Sequence, residues 1–295
     1  MAETPPKSPT QTAPSKRRQS GSKPDIATLG GIAVALLGII GGLLLEKGSI
    51  QDVAQTTAAM IVLGGTLGAV LVTTPLPVFL RACRKLGGAF IEAASSTEST
   101  IDALIVYATK ARKNGIVSLE TEAQNITDPF LRKALNLAVD GTDLQEIRKM
   151  MELEINLSEQ AGEAEAKVWE AAGGYAPTIG IIGAVMGLIQ VMKNLEDIKA
   201  VGHGIAVAFV ATVYGVGSAN IFFLPVANKL KARMRAAALL KDLTLEGVVG
   251  IVEGLNPTLI RMKLEAYNQT PAKSVKPKVA KAAAPLTAQP APDES

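Results

Sequence analysis

Cysteine and histidine occur once each in the 295 residues, as Cys83 and His203. One thiol excludes an intramolecular disulfide and any cysteine-rich metal centre. One imidazole excludes a multi-histidine metal site and leaves a Ser-His-Asp triad only if His203 serves it. His203 lies at the mouth of a long apolar run, where hydrolytic chemistry has no supporting groups. Aromatic residues are 4% of the chain, too sparse for stacking platforms on nucleic acid. There is no GxxxxGKS/T loop and no strand followed by GxGxxG, so nothing points to nucleotide chemistry. The expectation is a non-enzyme with no cofactor, no metal and no nucleic-acid partner. Charged residues are also few, 19% against about 25% in an average soluble protein. The net charge of +3 says less than where the charges lie.

Two charge-free runs, residues 175–192 and 205–227, organise the rest of the chain. Each approaches or exceeds the roughly 20 residues with which a helix crosses a bilayer. A polar hairpin, residues 193–204, joins them. In the first run Gly180, Gly183, Ala184 and Gly187 share one broad helical face. In the second, Gly204, Ala208, Ala211, Gly215 and Ala219 do the same, with Thr212 beside them. Small faces let membrane helices approach closely, and Gly183 with Gly187 forms a GxxxG pair. Pro177 opens the first run and Pro225 closes the second; each removes a backbone donor and bends or ends its helix. Two readings stay open: a hairpin packed for stability, or helices that line an ion path or clasp a partner's helix.

Two further apolar runs precede these. Residues 26–45 follow Lys16, Arg17, Arg18 and Lys23. They are longer than the apolar core of a signal peptide and lack a clear small-residue cleavage site, so they read as a retained span. Residues 53–72 form the next span, ended by Thr73, Thr74, Pro75 and Pro77 and followed by Arg81, Arg84 and Lys85. Basic residues gather before the first span, after the second and after the fourth (Lys229, Lys231, Arg233, Arg235). That bias places both termini and the long middle segment on the cytoplasmic side.

The middle segment is charged and helical. Ile101, Leu104, Ile105 and Ala108 have amphipathic spacing. Asn114-Gly115 stops that helix and Ser118 is placed to cap the next. Asp128-Pro129 starts another, Asp140-Gly141 ends it, and Thr142 is placed to cap a long helix through about Ala166. Gly254 to Pro257 breaks the helix after the last span, and a short helix follows. The fold class is all-α: a polytopic membrane protein with four transmembrane helices and a cytoplasmic helical domain between the second and third. The expected divisions are a disordered cytoplasmic tail (1–24), a first transmembrane hairpin (25–74), the cytoplasmic helical domain (75–168), a second hairpin (169–227), C-terminal cytoplasmic helices (228–268) and a disordered tail (269–295).

Ionisable residues inside a bilayer are costly and mark ion pathways. The four spans offer none at their centres, only Thr66, Thr178, Thr212, Tyr214, Ser218 and Asn220. Either the chain moves no ions, or a partner supplies the carboxylate and this chain walls it in.

Three stretches carry a resemblance. One runs from Gly174 through Pro177, Gly180, Gly183 and Ala184 to Gly187. A second runs from Ala208 through Thr212, Tyr214 and Gly215 to Pro225. The third runs from Ala111-Arg112 through Gly115 and Ser118-Leu119 to Glu120. Over residues 25–267 the chain resembles the MotA family, the A subunit of the flagellar motor stator. The resemblance implies a multi-pass protein of the bacterial inner (cytoplasmic) membrane. It implies a homopentamer around two MotB-like B subunits whose membrane Asp carries the ion. It places Pro177 and Pro225 at the channel floor, and Arg112 and Glu120 against the rotor protein FliG. Sodium-type relatives carry hydroxyls on both the third and fourth helices. Here Thr212 matches one, but Ala184 stands at the other and removes an oxygen ligand, so protons are favoured over sodium. The alternative within the superfamily is an ExbB/TolQ-type subunit energised by the proton-motive force. Those proteins typically lack the first hairpin and the Ser118-Leu119-Glu120 motif.

Overall fold

The computed structural model describes residues 25–91 and 97–269, all of whose regular elements are helices. The expected tail 1–24 and all but Gln269 of the tail 269–295 lie outside the described residues. Helix α1, Ile26–Leu45, has the expected bounds and is capped by Asp25, whose carboxylate accepts from the Thr28 N–H at 3.1 Å. The one-turn helix Ile50–Val53 precedes α2, Thr56–Thr73. The second span therefore starts three residues later than the apolar run suggests. The break is held from far away in sequence: the Tyr214 hydroxyl donates to the Val53 carbonyl at 2.6 Å and accepts from the Gln55 N–H at 3.4 Å.

Beyond Thr74 and Pro75 comes α3, Leu76–Ala89, then α4, Thr97–Asn114. Gly115, at φ 82°, takes a backbone conformation that side-chain-bearing residues avoid. The 3₁₀ turn Ile116–Leu119 follows and leads into α5, Glu120–Asn125. Ser118 does not cap α5; its hydroxyl donates back to the Gly115 carbonyl at 2.6 Å. Helix α6, Pro129–Val139, starts as expected, with Asp128 accepting from the Phe130 N–H at 2.9 Å. Gly141, at φ 74°, closes it with a Schellman pair: its own N–H reaches the Ala138 carbonyl and that of Thr142 reaches Leu137.

The largest departure concerns the two inner spans. Helix α7 runs unbroken from Leu144 to Lys193, 50 residues, and contains Pro177 in its interior. Helix α8 spans Ile198–Val252, 55 residues, with a π-wound stretch at Ser218–Phe223 just before Pro225. Neither proline ends its helix. The expected boundaries at 168/169 and 227/228 therefore fall inside continuous rods. Residues 167–174 change from charged to apolar while the helix runs on even through Gly173-Gly174, so the solvent changes and the backbone does not. For Pro225, the wider π turn loosens the hydrogen-bond ladder where a proline would otherwise collide with it. Asp143, not Thr142, caps α7, accepting from the Gln145 N–H at 2.9 Å. The hairpin shrinks to 194–197 because Asp197 caps α8 through Lys199 and Ala200; His203 is thus helical. Gly254, at φ 69°, ends α8 with a second Schellman pair, and α9, Pro257–Gln269, is the last described element.

The charged domain has its own core, in which Leu104, Leu119, Leu135, Ile147, Met151, Leu243, Ile260 and Leu264 are fully buried. Each such side chain contributes about 1.5–3 kcal/mol. Glu246 ties α7, α8 and α9 by pairing with Arg148 at 3.4 Å and with Lys263. Burial alone would raise its pKa, but Lys263 and Arg148 together hold it below the usual range. Helix α1, by contrast, buries no residue. It is fastened at its foot, where the Asp25 N–H donates to the Phe90 carbonyl at 2.9 Å and the Asp25 carboxylate pairs with Lys229 and, at 3.5 Å, with Arg233. Chiefly through the Lys229 hydrogen bond, the Asp25 pKa is lowered to about 2. Because the folded pKa lies below the unfolded one, near 3.9, this fastening is complete above pH ~4 and is lost as pH falls toward 2. Asp25→Asn should loosen it at neutral pH, seen as faster hydrogen exchange at the Thr28 amide; unchanged exchange would show that the foot is held by packing.

Candidate functional site

The site is built on the α7–α8 hairpin. A Cβ placed on Gly180 would stand 2.9 Å from the Ala211 carbonyl oxygen, and one on Gly187 would stand 2.8 Å from both Ala208 N and Gly204 O. On Gly215 it would meet the Ala176 oxygen at 2.6 Å, and on Gly183 the Ala211 Cβ at 2.8 Å. All four glycines are buried. They form the seam between the two helices of one chain, at backbone-to-backbone distance.

These contacts set the levels of the other residues singled out in the sequence. Gly183 meets Ala211, so Ala184 and Thr212, the next residue on each rod, lie in one layer. Gly215 meets Ala176, which puts Pro177 in a second layer, about 10 Å along the helix from Ala184. Gly173 meets the Leu224 side chain, which places Pro225 about one and a half turns beyond Pro177. Ala184, Thr212 and Pro177 are half-buried and Pro225 is exposed, so they border the seam without filling it. The side of the hairpin away from the seam carries Ile181, Val185, Met192, Phe209 and Val213, each at least half exposed. This apolar surface is left for lipid or for other subunits.

The polar groups of these rods mostly satisfy their own helices. The Thr212 hydroxyl donates to the Ala208 carbonyl at 3.2 Å, Thr178 to Tyr175 at 2.7 Å, Ser218 to Gly215 at 3.2 Å and the Asn220 amide to Val216 at 2.9 Å. Thr66 differs: it is fully buried and its hydroxyl has no partner among the described residues. The sequence named Thr66 as polar but gave no sign of which face of α2 it occupies. Among the described residues no group of three or more His, Cys, Asp or Glu side chains is placed to hold a metal.

Arg112 and Glu120 flank Gly115 at the far end of the charged domain. Both are exposed, and neither has an ion pair among the described residues. Their neighbours do: Lys110 pairs with Glu122, and Arg261 with Asp102 at 2.6 Å. At the other end of that domain lies a carboxylate that the sequence reading passed over. Glu165 on α7 is 3% exposed and pairs with Lys85 at 2.6 Å and the Arg81 Nε at 3.6 Å, joining α3 to α7.

Residues 29–115 match the profile of the Motility protein A N-terminal family, and residues 122–242 that of the MotA/TolQ/ExbB proton channel family. Motility protein A of Bacillus subtilis is 34% identical over 244 residues, 82% of this chain and 90% of that protein. The chain belongs to the MotA family. Chemotaxis protein PomA of Vibrio alginolyticus is likewise 34% identical, over 82% of this chain and 95% of its own length. Among solved structures, the C. jejuni MotAB structure matches with a TM-score of 0.79 at 30% identity, covering 87% of this chain and 99% of that one. The flagellar MotAB stator complex from Bacillus subtilis matches at 0.77 and 33% identity, covering 83% and 96%. The N-terminal profile spans α1 to α4, including the first hairpin that the ExbB/TolQ alternative would lack. A MotA-family protein with four helices of bilayer length is membrane-embedded.

Proposed function

We propose that the chain is the A subunit of a flagellar motor stator, the wall of an ion path whose titratable group belongs to a second protein. The observation that carries this is the hairpin: a MotA-family chain whose inner rods pack on a glycine seam and hold no carboxylate within their apolar stretches. A MotB-like partner supplies the membrane Asp, and a ring of copies, five by the family resemblance, covers the exposed apolar faces. The assembly sits in the cytoplasmic membrane with both termini inside. Ala184 beside Thr212 leaves one hydroxyl in that layer, and that hydroxyl is engaged by Ala208, which favours protons over sodium. Pro177 and Pro225 set the geometry below that layer. Arg112 and Glu120, exposed and without an ion pair among the described residues, meet opposite charges on FliG.

Swimming speed tests this in a strain lacking its own A subunit and carrying this chain with its B partner. Motility is expected in sodium-free medium and should cease with a protonophore. Motility that tracks sodium keeps the stator and overturns the ion assignment. Absence of motility in every medium, with the complex present in the membrane, favours the ExbB/TolQ kind of load. In the same strain the double reversal Arg112→Glu with Glu120→Lys should slow swimming well beyond either single change, since one exposed pair is worth only about 0–1 kcal/mol. Normal speed in the double variant places the rotor contact elsewhere.

A further inference from the structure

Where the membrane rods enter the charged domain, α3, α7 and α8 enclose a cavity of about 520 Å³. Four cations line it, Arg84, Lys85, Arg233 and Lys241, against a single carboxylate, Glu165. That carboxylate is already engaged: it is buried and holds Lys85 at 2.6 Å. Two of the other cations are held in place by groups that leave charge over. The Lys241 ammonium donates to the Ser158 hydroxyl at 3.0 Å and stands 5.5 Å from the Phe130 ring centre, with no acid paired to it among the described residues. Arg233 reaches Asp25 at 3.5 Å, but Asp25 is shared with Lys229. Arg84 has no ion pair among the described residues. Another part of the wall is aliphatic, with Leu230 and Met234. Gly88 adds room: a Cβ there would meet nothing within 4 Å.

Like charges that line one cavity repel one another, and two guanidinium groups with an ammonium match the several oxygens of a phosphate better than a single carboxylate. We propose that this cavity binds a phosphate ester bearing an apolar group, with Arg84, Arg233 and Lys241 on the phosphate and Leu230 and Met234 against the apolar part. The volume lies within the range of small-molecule sites, about 300–1,000 Å³, and exceeds what a lone inorganic phosphate would fill. Two sources share this chemistry. Arg233 lies six residues past the apolar stretch ending at Ala227, about 9 Å along the helix, close to the depth of a phospholipid headgroup. Lys241 lies about 21 Å along, where a soluble phosphate ester has freer access.

The test uses the full chain extracted from membranes with its partner subunit. Association of spin-labelled phosphatidylglycerol is compared with that of spin-labelled phosphatidylcholine in nanodiscs. In parallel, sn-glycerol 3-phosphate is titrated calorimetrically into the complex in neutral detergent. Two variants accompany the wild type: Arg84→Gln with Lys241→Gln, which removes charge, and Gly88→Val, which obstructs the space while leaving every charge in place. A phosphatidylglycerol preference that falls about tenfold in both variants supports the site and assigns it to lipid. Glycerol phosphate binding that falls in both variants supports the site with a soluble ester as occupant. Equal association of the two lipids with no glycerol phosphate binding overturns the proposal. So does a phosphatidylglycerol preference that neither variant changes, since it would arise from basic residues elsewhere. Intact assembly of each variant is read by size-exclusion chromatography, and Gly88→Val keeps the test decisive if the charge variant fails to assemble.

Discussion

Gly215→Leu is expected to leave little or no folded hairpin in the membrane, and Gly215→Ala to lower the unfolding midpoint of the purified complex by an amount equivalent to about 2 kcal/mol. The reason is the nature of the atoms in the way. A Cβ at residue 215 would sit 2.6 Å from the Ala176 carbonyl oxygen, 3.0 Å from the Gly180 Cα and 3.3 Å from the Ala176 carbonyl carbon. All three are backbone, so no rotamer change relieves the contact, and the rods must separate along their length. Overpacking of this kind typically costs about 1–3 kcal/mol for modest insertions, and separation also forfeits the close approach on which membrane helix association depends. Gly217, two residues along the same helix, is the control: a Cβ there meets nothing within 4 Å. Gly217→Ala should be neutral or stabilising by up to about 1 kcal/mol, because glycine is a poor helix former. Equal effects at 215 and 217 would mean that helix propensity, not the seam, governs this rod.

Removing both cations from Glu165 is expected to cost far more than removing Glu165 itself. The Glu165 side chain is 4% exposed, whereas those of Arg81 and Lys85 are 51% and 59% exposed. With Glu165→Gln, the two cations turn to water and the loss should stay near 1 kcal/mol. With Arg81→Met and Lys85→Met together, a buried carboxylate is stranded without a counter-charge, a situation that costs roughly 3 kcal/mol or more. Adding Glu165→Gln to that pair should restore most of the lost stability. Chemical denaturation of the three variants reads the order directly. If the double methionine variant is as stable as Glu165→Gln, the joint between α3 and α7 rests on apolar packing around Trp169 and Phe223 instead of charge.

Local signals in the sequence translated well where a single side chain decides the backbone. Asp128-Pro129 starts α6, Gly141 and Gly254 close α6 and α8, and the apolar run 26–45 is α1. They translated poorly where two candidates compete. Thr142 and Asp143 are both able to cap α7, and the carboxylate, a stronger acceptor than a hydroxyl, takes the position. Continuity through residues 167–174 was hidden because polarity reports which solvent a helix meets, not where the helix stops. The prolines left two outcomes open, a bend or an end, and packing decides between them: α7 continues through Pro177 and α8 accommodates Pro225 through a π-wound turn. The glycine face was legible, but its partner was not. Only three-dimensional packing shows that Gly180, Gly183 and Gly187 face the chain's own second rod and that Gly215 faces the first, with Ala184 and Thr212 beside that seam. The clamp of Tyr214 on Val53 spans 161 positions, and no local pattern reveals it. Arg112 and Glu120 were singled out by resemblance; their exposure and lack of an ion pair among the described residues suit a surface role without naming what they meet.

The uninterrupted length of α7 and α8 has a mechanical meaning. At about 1.5 Å per residue, 50 residues extend roughly 75 Å, from the hairpin tip near Asn194 to the base of the charged domain at Leu144. Between the layer of Ala184 and Thr212 and that base α7 is continuous helix, with Pro177 its one interior proline. A small tilt or twist applied among the spans is therefore transmitted as by a stiff shaft, and the arm's length enlarges the displacement at the distal end. Pro177 and the π turn before Pro225 interrupt the regular hydrogen-bond ladder of the two rods between that layer and the charged domain. There, compliance would let the upper part settle against its neighbours while the long lower part moves as one piece.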